Sequence, residues 1–139
     1  MNTGEHYELF RYLMEQLCLL PEDLVFVEDI AQWCRENGIP ETDQERPLKL
    51  VSKEPSGCRM LIREYISDKA MYERINAMRV RSQLKNVAFD RADALDSERK
   101  RLAYLFLGEY ALSLPGIEDD LLADDWAFDE MKRLGFFKQ

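Results

Sequence analysis

Residues 102–112 read Leu-Ala-Tyr-Leu-Phe-Leu-Gly-Glu-Tyr-Ala-Leu, and no other stretch limits the possible folds so strongly. Wound as a helix, this segment is apolar almost all the way round, so it must be enclosed by neighbours on most sides. It is expected to be the central helix of a bundle. Asp96 or Ser97 is placed to cap its first turn, with Glu98 near the positive end of the helix dipole. Gly108 is expected to admit a close neighbour, and Leu114-Pro115-Gly116 ends the helix.

The flanking segments are read around that helix. Towards the C-terminus, Asp119 or Asp124 offers an N-cap, and Leu121, Leu122, Trp126, Phe128, Met131 and Leu134 supply apolar anchors. Lys132-Arg133-Leu134-Gly135-Phe136 then forms a stop: cations in the last turn, a glycine suited to the left-handed C′ position and an apolar residue beyond it. At the other end a helix is expected to start after Thr3, with Tyr7, Phe10, Met14, Leu17 and Cys18 on one face and Pro21 as its break.

Residues 24–27 suit a short strand, but Leu24, Val27, Ile30, Ala31 and Cys34 continue a helical stripe over more residues, and the helix is favoured. It stops at Asn37-Gly38-Ile39-Pro40. Residues 40–57 carry Pro40, Pro47, Pro55 and Gly57 and read as a long mobile loop. Within it residues 48–51 alternate as a brief strand with no visible partner.

From Arg59 a helical pattern resumes with Leu61, Ile62, Tyr65 and Ile66 and passes a capping point at Ser67-Asp68. Beyond it Met71, Ile75 and Met78 share one side, while Val80, Leu84 and Val87 lie nearly opposite, which implies a bend near Arg79 or two different neighbours. The expected fold is therefore all-α: a compact bundle of five or six helices in a single domain over residues 1–139, with a proline-containing loop at about 40–57.

Composition bounds the rest. With 46% hydrophobic and 11% aromatic residues the chain is too apolar to stay disordered, and it should fold alone or with a copy of itself. Charges interrupt every apolar run well before the ~20 residues a membrane-spanning helix needs. Residues 1–5 carry no basic region of a secretory signal, so a cytoplasmic location is expected and no membrane partner. Cys18, Cys34 and Cys58 are widely spaced and lack a second histidine for zinc, so they read as free thiols in a reducing compartment.

Candidate chemistry is sparse. His6 is the only histidine, which leaves no base for a nucleophilic triad, and no GxxxxGK[ST] or GxGxxG loop occurs. No cofactor, metal ligand set or catalytic residue is assigned, so a binding role is expected before an enzymatic one. Net charge is −8 and uneven: −7 over residues 1–58, +4 over 59–101, −1 over 102–116 and −4 over 117–139.

Two surfaces follow from that pattern. Asp119, Asp120, Asp124, Asp125 and Trp126 form a candidate surface for a protein partner, since their spacing fits neither an EF-hand nor a di-iron bundle. Arg74, Arg79, Arg81 and Lys85, followed by Arg99-Lys100-Arg101, form a candidate basic face that could track a phosphate backbone. After Gly38, however, no recognition helix follows of the kind a helix-turn-helix requires.

The leading expectation is a small acidic helical interaction module: a regulator, adaptor or assembly factor that docks a protein partner. The alternatives are a nucleic-acid-associated protein that uses the basic face over residues 74–101, and a carboxylate-metal enzyme in which Glu64, Asp68, Glu73 or Glu109 meet inside the bundle.

Overall fold

The stretch from 40 to 66, expected to be loop and then helix, instead builds a sheet. The computed structural model describes residues 1–85 and 91–137. These residues are 55% helical and 13% strand, with six α-helices and a three-stranded mixed sheet, which overturns the all-α bundle. The chain divides into two compact units, Met1–Ala70 and Met71–Gln139.

The first unit runs α1 (Tyr7–Gln16), β1 (Leu24–Val27), α2 (Ile30–Glu36), β2 (Leu48–Ser52) and β3 (Cys58–Arg63). Strand order is β1-β3-β2, with β1 parallel and β2 antiparallel to the central β3. Strand side chains alternate between two faces, and here both faces are covered. Phe26 meets the ring of Phe10 of α1 edge-on at 6.1 Å. On the opposite face Val25, Val27, Val51 and Leu61 pack with Ile30 and Cys34 of α2.

That double coverage explains why residues 24–27 and the stretch from Arg59 follow a helical pattern in the sequence. A central strand buried on both faces shows an uninterrupted apolar run, here Met60-Leu61-Ile62, without the polar alternation that marks a half-exposed strand. In the same way residues 24–27 are strand and the helix begins only at Ile30, capped by Asp29, whose side chain accepts the Gln32 N–H at 3.1 Å. The partner that seemed missing for residues 48–51 is β3 itself.

Nor is the segment from 40 to 57 one long loop. Glu41 binds Lys49 at 2.6 Å and lies 3.5 Å from Arg46, Glu45 binds Arg63 at 2.8 Å, and the Lys53 N–H closes the β2-β3 hairpin on the Gly57 carbonyl at 3.1 Å. Thr3, expected as a cap, is buried instead, and its hydroxyl donates to the Arg63 carbonyl at 2.7 Å. Asn2 takes the capping role by accepting the Gly4 N–H at 3.0 Å, and a 3-10 turn over Thr3–His6 precedes α1.

In chain order there follow α3 (Asp68–Leu84), α4 (Arg91–Ala94), α5 (Glu98–Ala111) and α6 (Asp120–Arg133). In the second unit α5 is the buried helix the sequence demands: Leu102, Ala103, Phe106, Leu107 and Ala111 are all fully enclosed. Ser97 caps it by accepting the Lys100 N–H at 3.2 Å, and Asp119 caps α6 through the Leu122 N–H at 2.9 Å. Of the two stripes on α3, Met71 and Met78 are buried, whereas Val80 and Leu84 are exposed; Val87 lies outside the described residues. Both glycine stops take the left-handed conformation, Gly38 with φ 72° and Gly135 with φ 81°. The following N–H groups of Ile39 and Phe136 reach back to Cys34 and Met131 at 2.8 and 3.0 Å.

Candidate functional site

The two charged surfaces expected to face partners meet each other within the second unit. Arg81 on α3 and Lys85 just past its end are four residues apart, and Asp120 and Asp124 sit one turn apart on α6. Arg81 forks onto Asp124, with Nε to Oδ2 at 2.7 Å and Nη2 to Oδ1 at 3.1 Å. Asp120 lies 4.0 Å from the same guanidinium. Asp125 takes Lys85 and, at 2.6 Å, Arg91.

The centre of the network is dry. Asp124 is 2% exposed, and the Tyr104 hydroxyl of α5 donates to its Oδ1 at 2.6 Å while accepting from Arg81 at 3.2 Å. Burial and the adjacent carboxylate push the Tyr104 hydroxyl well above its ordinary pKa. For Asp125 burial works in the same upward direction, but the bonds from Lys85 and Arg91 outweigh it and hold the carboxyl below the usual aspartate range. Arg91 also lies over the Phe128 ring at 5.0 Å, and its Nε and Nη1 are buried without a hydrogen-bond partner.

The five residues of the candidate acidic surface thus have separate tasks. Asp119 caps a helix, Asp124 and Asp125 are ion-paired inside the unit, and Trp126 packs against Tyr110 with ring centroids 5.7 Å apart. Only Asp119 and Asp120 are exposed. On the basic side Arg79 lies 4.0 Å from Asp93 and Arg74 is half-buried. Further along, Arg99 and Lys100 sit over Phe136 and Phe137 at 5.3 and 6.0 Å. The carboxylates considered for metal binding are not gathered: Glu64, Asp68 and Glu73 are exposed, Glu109 is half-buried, and no metal-binding group of three forms among the described residues.

The first unit presents a different kind of surface, one that the sequence reading missed. The Glu64 N–H reaches the Val27 carbonyl at 2.7 Å, so the main chain of Val27 faces β3. Direction alternates along a strand, so Val25 also faces β3 while the N–H and C=O of Phe26 point away from the sheet. Among the described residues no strand pairs with that side of β1. Beside it opens a cleft of about 490 Å³ lined by Asn2, Gly4, Phe26, Glu64 and Tyr65.

Exposed aromatic surface surrounds this cleft: Tyr65 is 60% exposed, and Tyr7, 43% exposed, has its ring 6.2 Å from that of Phe26. The opposite edge of the sheet is guarded, since Lys49 on β2 is tied to Glu41. Charged side chains of this kind discourage edge pairing, and Leu-Val-Phe-Val of β1 has none. Finding this edge from sequence required knowing that residues 24–27 are a strand.

Comparison with protein-family models, with curated proteins and with solved structures finds no match to this chain. Among the described residues no helix is long and apolar enough to cross a membrane.

Proposed function

We propose that the chain is a small protein-interaction module that docks its partner along the outer edge of β1. The observation that carries this reading is the unpaired main chain of Phe26 beside an aromatic-rimmed cleft. An open edge offers ready hydrogen bonds to an extended segment, and exposed tyrosines supply contact area at low entropic cost. The acidic and basic side chains first considered as partner surfaces largely satisfy one another inside the second unit, which shifts the reading to the first. A cytoplasmic site of action belongs to the same proposal, because three free thiols suit a reducing compartment.

The test is affinity capture with the wild-type chain and with a Tyr7→Ala/Tyr65→Ala variant whose fold is checked by circular dichroism. Proteins held by the wild type and lost by the variant are expected. If both forms retain the same proteins, or neither retains any at low salt, this function is wrong.

A further inference from the structure

We infer that the ligand of this edge is an extended basic peptide segment whose arginine or lysine enters the cleft between Phe26 and Tyr65. This builds on the docking edge proposed for β1 and adds the chemistry of what docks there. The edge itself sets the length. The Leu24 N–H is taken by the Pro21 carbonyl, so the outward groups left open are the Leu24 C=O and the N–H and C=O of Phe26. Three hydrogen bonds of this kind fit a strand of about four residues.

Beyond Val27 the place of β1 beside the continuation of β3 is taken by the chain's own start. The Thr3 N–H donates to the Glu64 carbonyl at 3.0 Å, and the Ile66 N–H donates to the Met1 carbonyl at 3.0 Å. An added strand on the outer edge of β1 therefore reaches the cleft where this segment follows on, with Asn2 and Gly4 forming one wall. The side chain it presents there meets two aromatic residues and one carboxylate.

Charge selects which side chain that is. Glu64 lines the cleft, exposed Glu22 and Glu28 flank the two ends of β1, and among the described residues no basic side chain lines the cleft. The first unit as a whole carries eight basic and fourteen acidic side chains, a net charge of −6. The hydrocarbon stem of an arginine or lysine packs on the rings of Phe26 and Tyr65, the aromatic faces attract its charge, and the head lies against Glu64. An acidic segment would instead gather like charge at every one of these points.

The experiment uses the full-length, ¹⁵N-labelled protein and blocked pentapeptides of sequence Thr-Val-X-Val-Thr, where X is arginine, norleucine or glutamate. With arginine, the Phe26 amide signal is expected to shift saturably, with affinity about tenfold above that of the glutamate peptide. Glu64→Gln should weaken arginine-peptide binding about threefold, the size expected for a solvent-exposed ion pair. Equal binding of the norleucine peptide would overturn the basic ligand while leaving the docking edge standing. No shift of Phe26 with any peptide up to roughly 1 mM would remove both. A Phe26 shift that depends on protein concentration alone would mean that a second copy, not a basic peptide, occupies the edge.

Discussion

In the first unit the enclosed carboxylates Asp23 and Glu41 are each bound most closely by a lysine beside the sheet, whereas in the second the enclosed Asp124 is held between helices by an arginine. Asp23 is held by Lys53 through contacts of 2.6 and 2.8 Å, and Glu41 by Lys49 at 2.6 Å; both lysines retain about a fifth of their side-chain exposure. In the second unit Asp124 receives both prongs of Arg81 and the Tyr104 hydroxyl, with 3% of its side chain exposed. A lysine head on a flexible stem can turn to water when its partner is lost. A guanidinium fixed in a fork beside a buried hydroxyl has much less freedom to do so.

The largest expected effect breaks this contrast directly. Asp124→Ala leaves the Arg81 fork and the Tyr104 hydroxyl without their shared acceptor and should cost about 3–5 kcal/mol. Asp23→Ala should cost only about 1–2 kcal/mol, because Lys53 recovers hydration. Each unit carries one tryptophan, Trp33 on α2 and Trp126 on α6, so denaturant titrations of Trp33→Phe and Trp126→Phe backgrounds read the two units separately. Equal losses for the two substitutions would show that the fork matters no more than the lysine pair.

Next in size is the tyrosine of the same network. Tyr104→Phe removes one donor to Asp124 but leaves Arg81 in place, for a loss of about 1 kcal/mol at neutral pH. The pH dependence is the sharper readout. The folded pKa of Tyr104 is raised, so its contribution is fully present below the unfolded value of about 10 and is lost as pH rises through the folded value. Stability reported by Trp126 should therefore fall steeply above about pH 10 in the parent protein and less steeply in Tyr104→Phe. Identical alkaline slopes would place the titrating group elsewhere.

The contrast between the units also accounts for what the sequence could reveal. In the second, α5, α6, the Ser97 and Asp119 caps and the Gly135 stop were legible, because helices of this length announce themselves through period and punctuation. The first is built on strands of four to six residues: the short apolar runs of β1 and β3 fit a helical stripe equally well, and only residues 48–51 show the alternation of a strand. Candidate site residues divide the same way. Asp120, Asp124, Asp125, Arg81 and Lys85 could be named from the sequence and Arg91 was missed, but their mutual pairing depends on α3 and α6 coming together. The open edge at Phe26 was invisible, since main-chain direction follows from pairing and no side chain signals it.

The smallest effects concern two backbone positions at which the units err in opposite senses. Gly108 lies inside α5, and a Cβ built there meets nothing within 4 Å among the described residues, none of which supplies the close neighbour expected for this glycine. Gly108→Ala should therefore stabilise the second unit by about 0.5–1 kcal/mol through helix propensity. Cys18 presents the reverse case: it follows α1 with φ 58°, a left-handed conformation that L-residues other than glycine adopt at a cost. The Leu19 N–H closes onto the Met14 carbonyl at 2.8 Å, which fixes residue 18 in the C′ position of the helix stop. Replacing it with glycine relieves the strain, and part of that gain is offset by the greater freedom of glycine in the unfolded chain. A net stabilisation of about 0.5 kcal/mol is expected in Cys18→Gly, and Cys18→Val should be destabilising because a branched Cβ tolerates this region least. Denaturant midpoints followed by Trp33 decide the point: a loss of stability in Cys18→Gly would mean that the thiol makes a contribution its exposed position does not suggest.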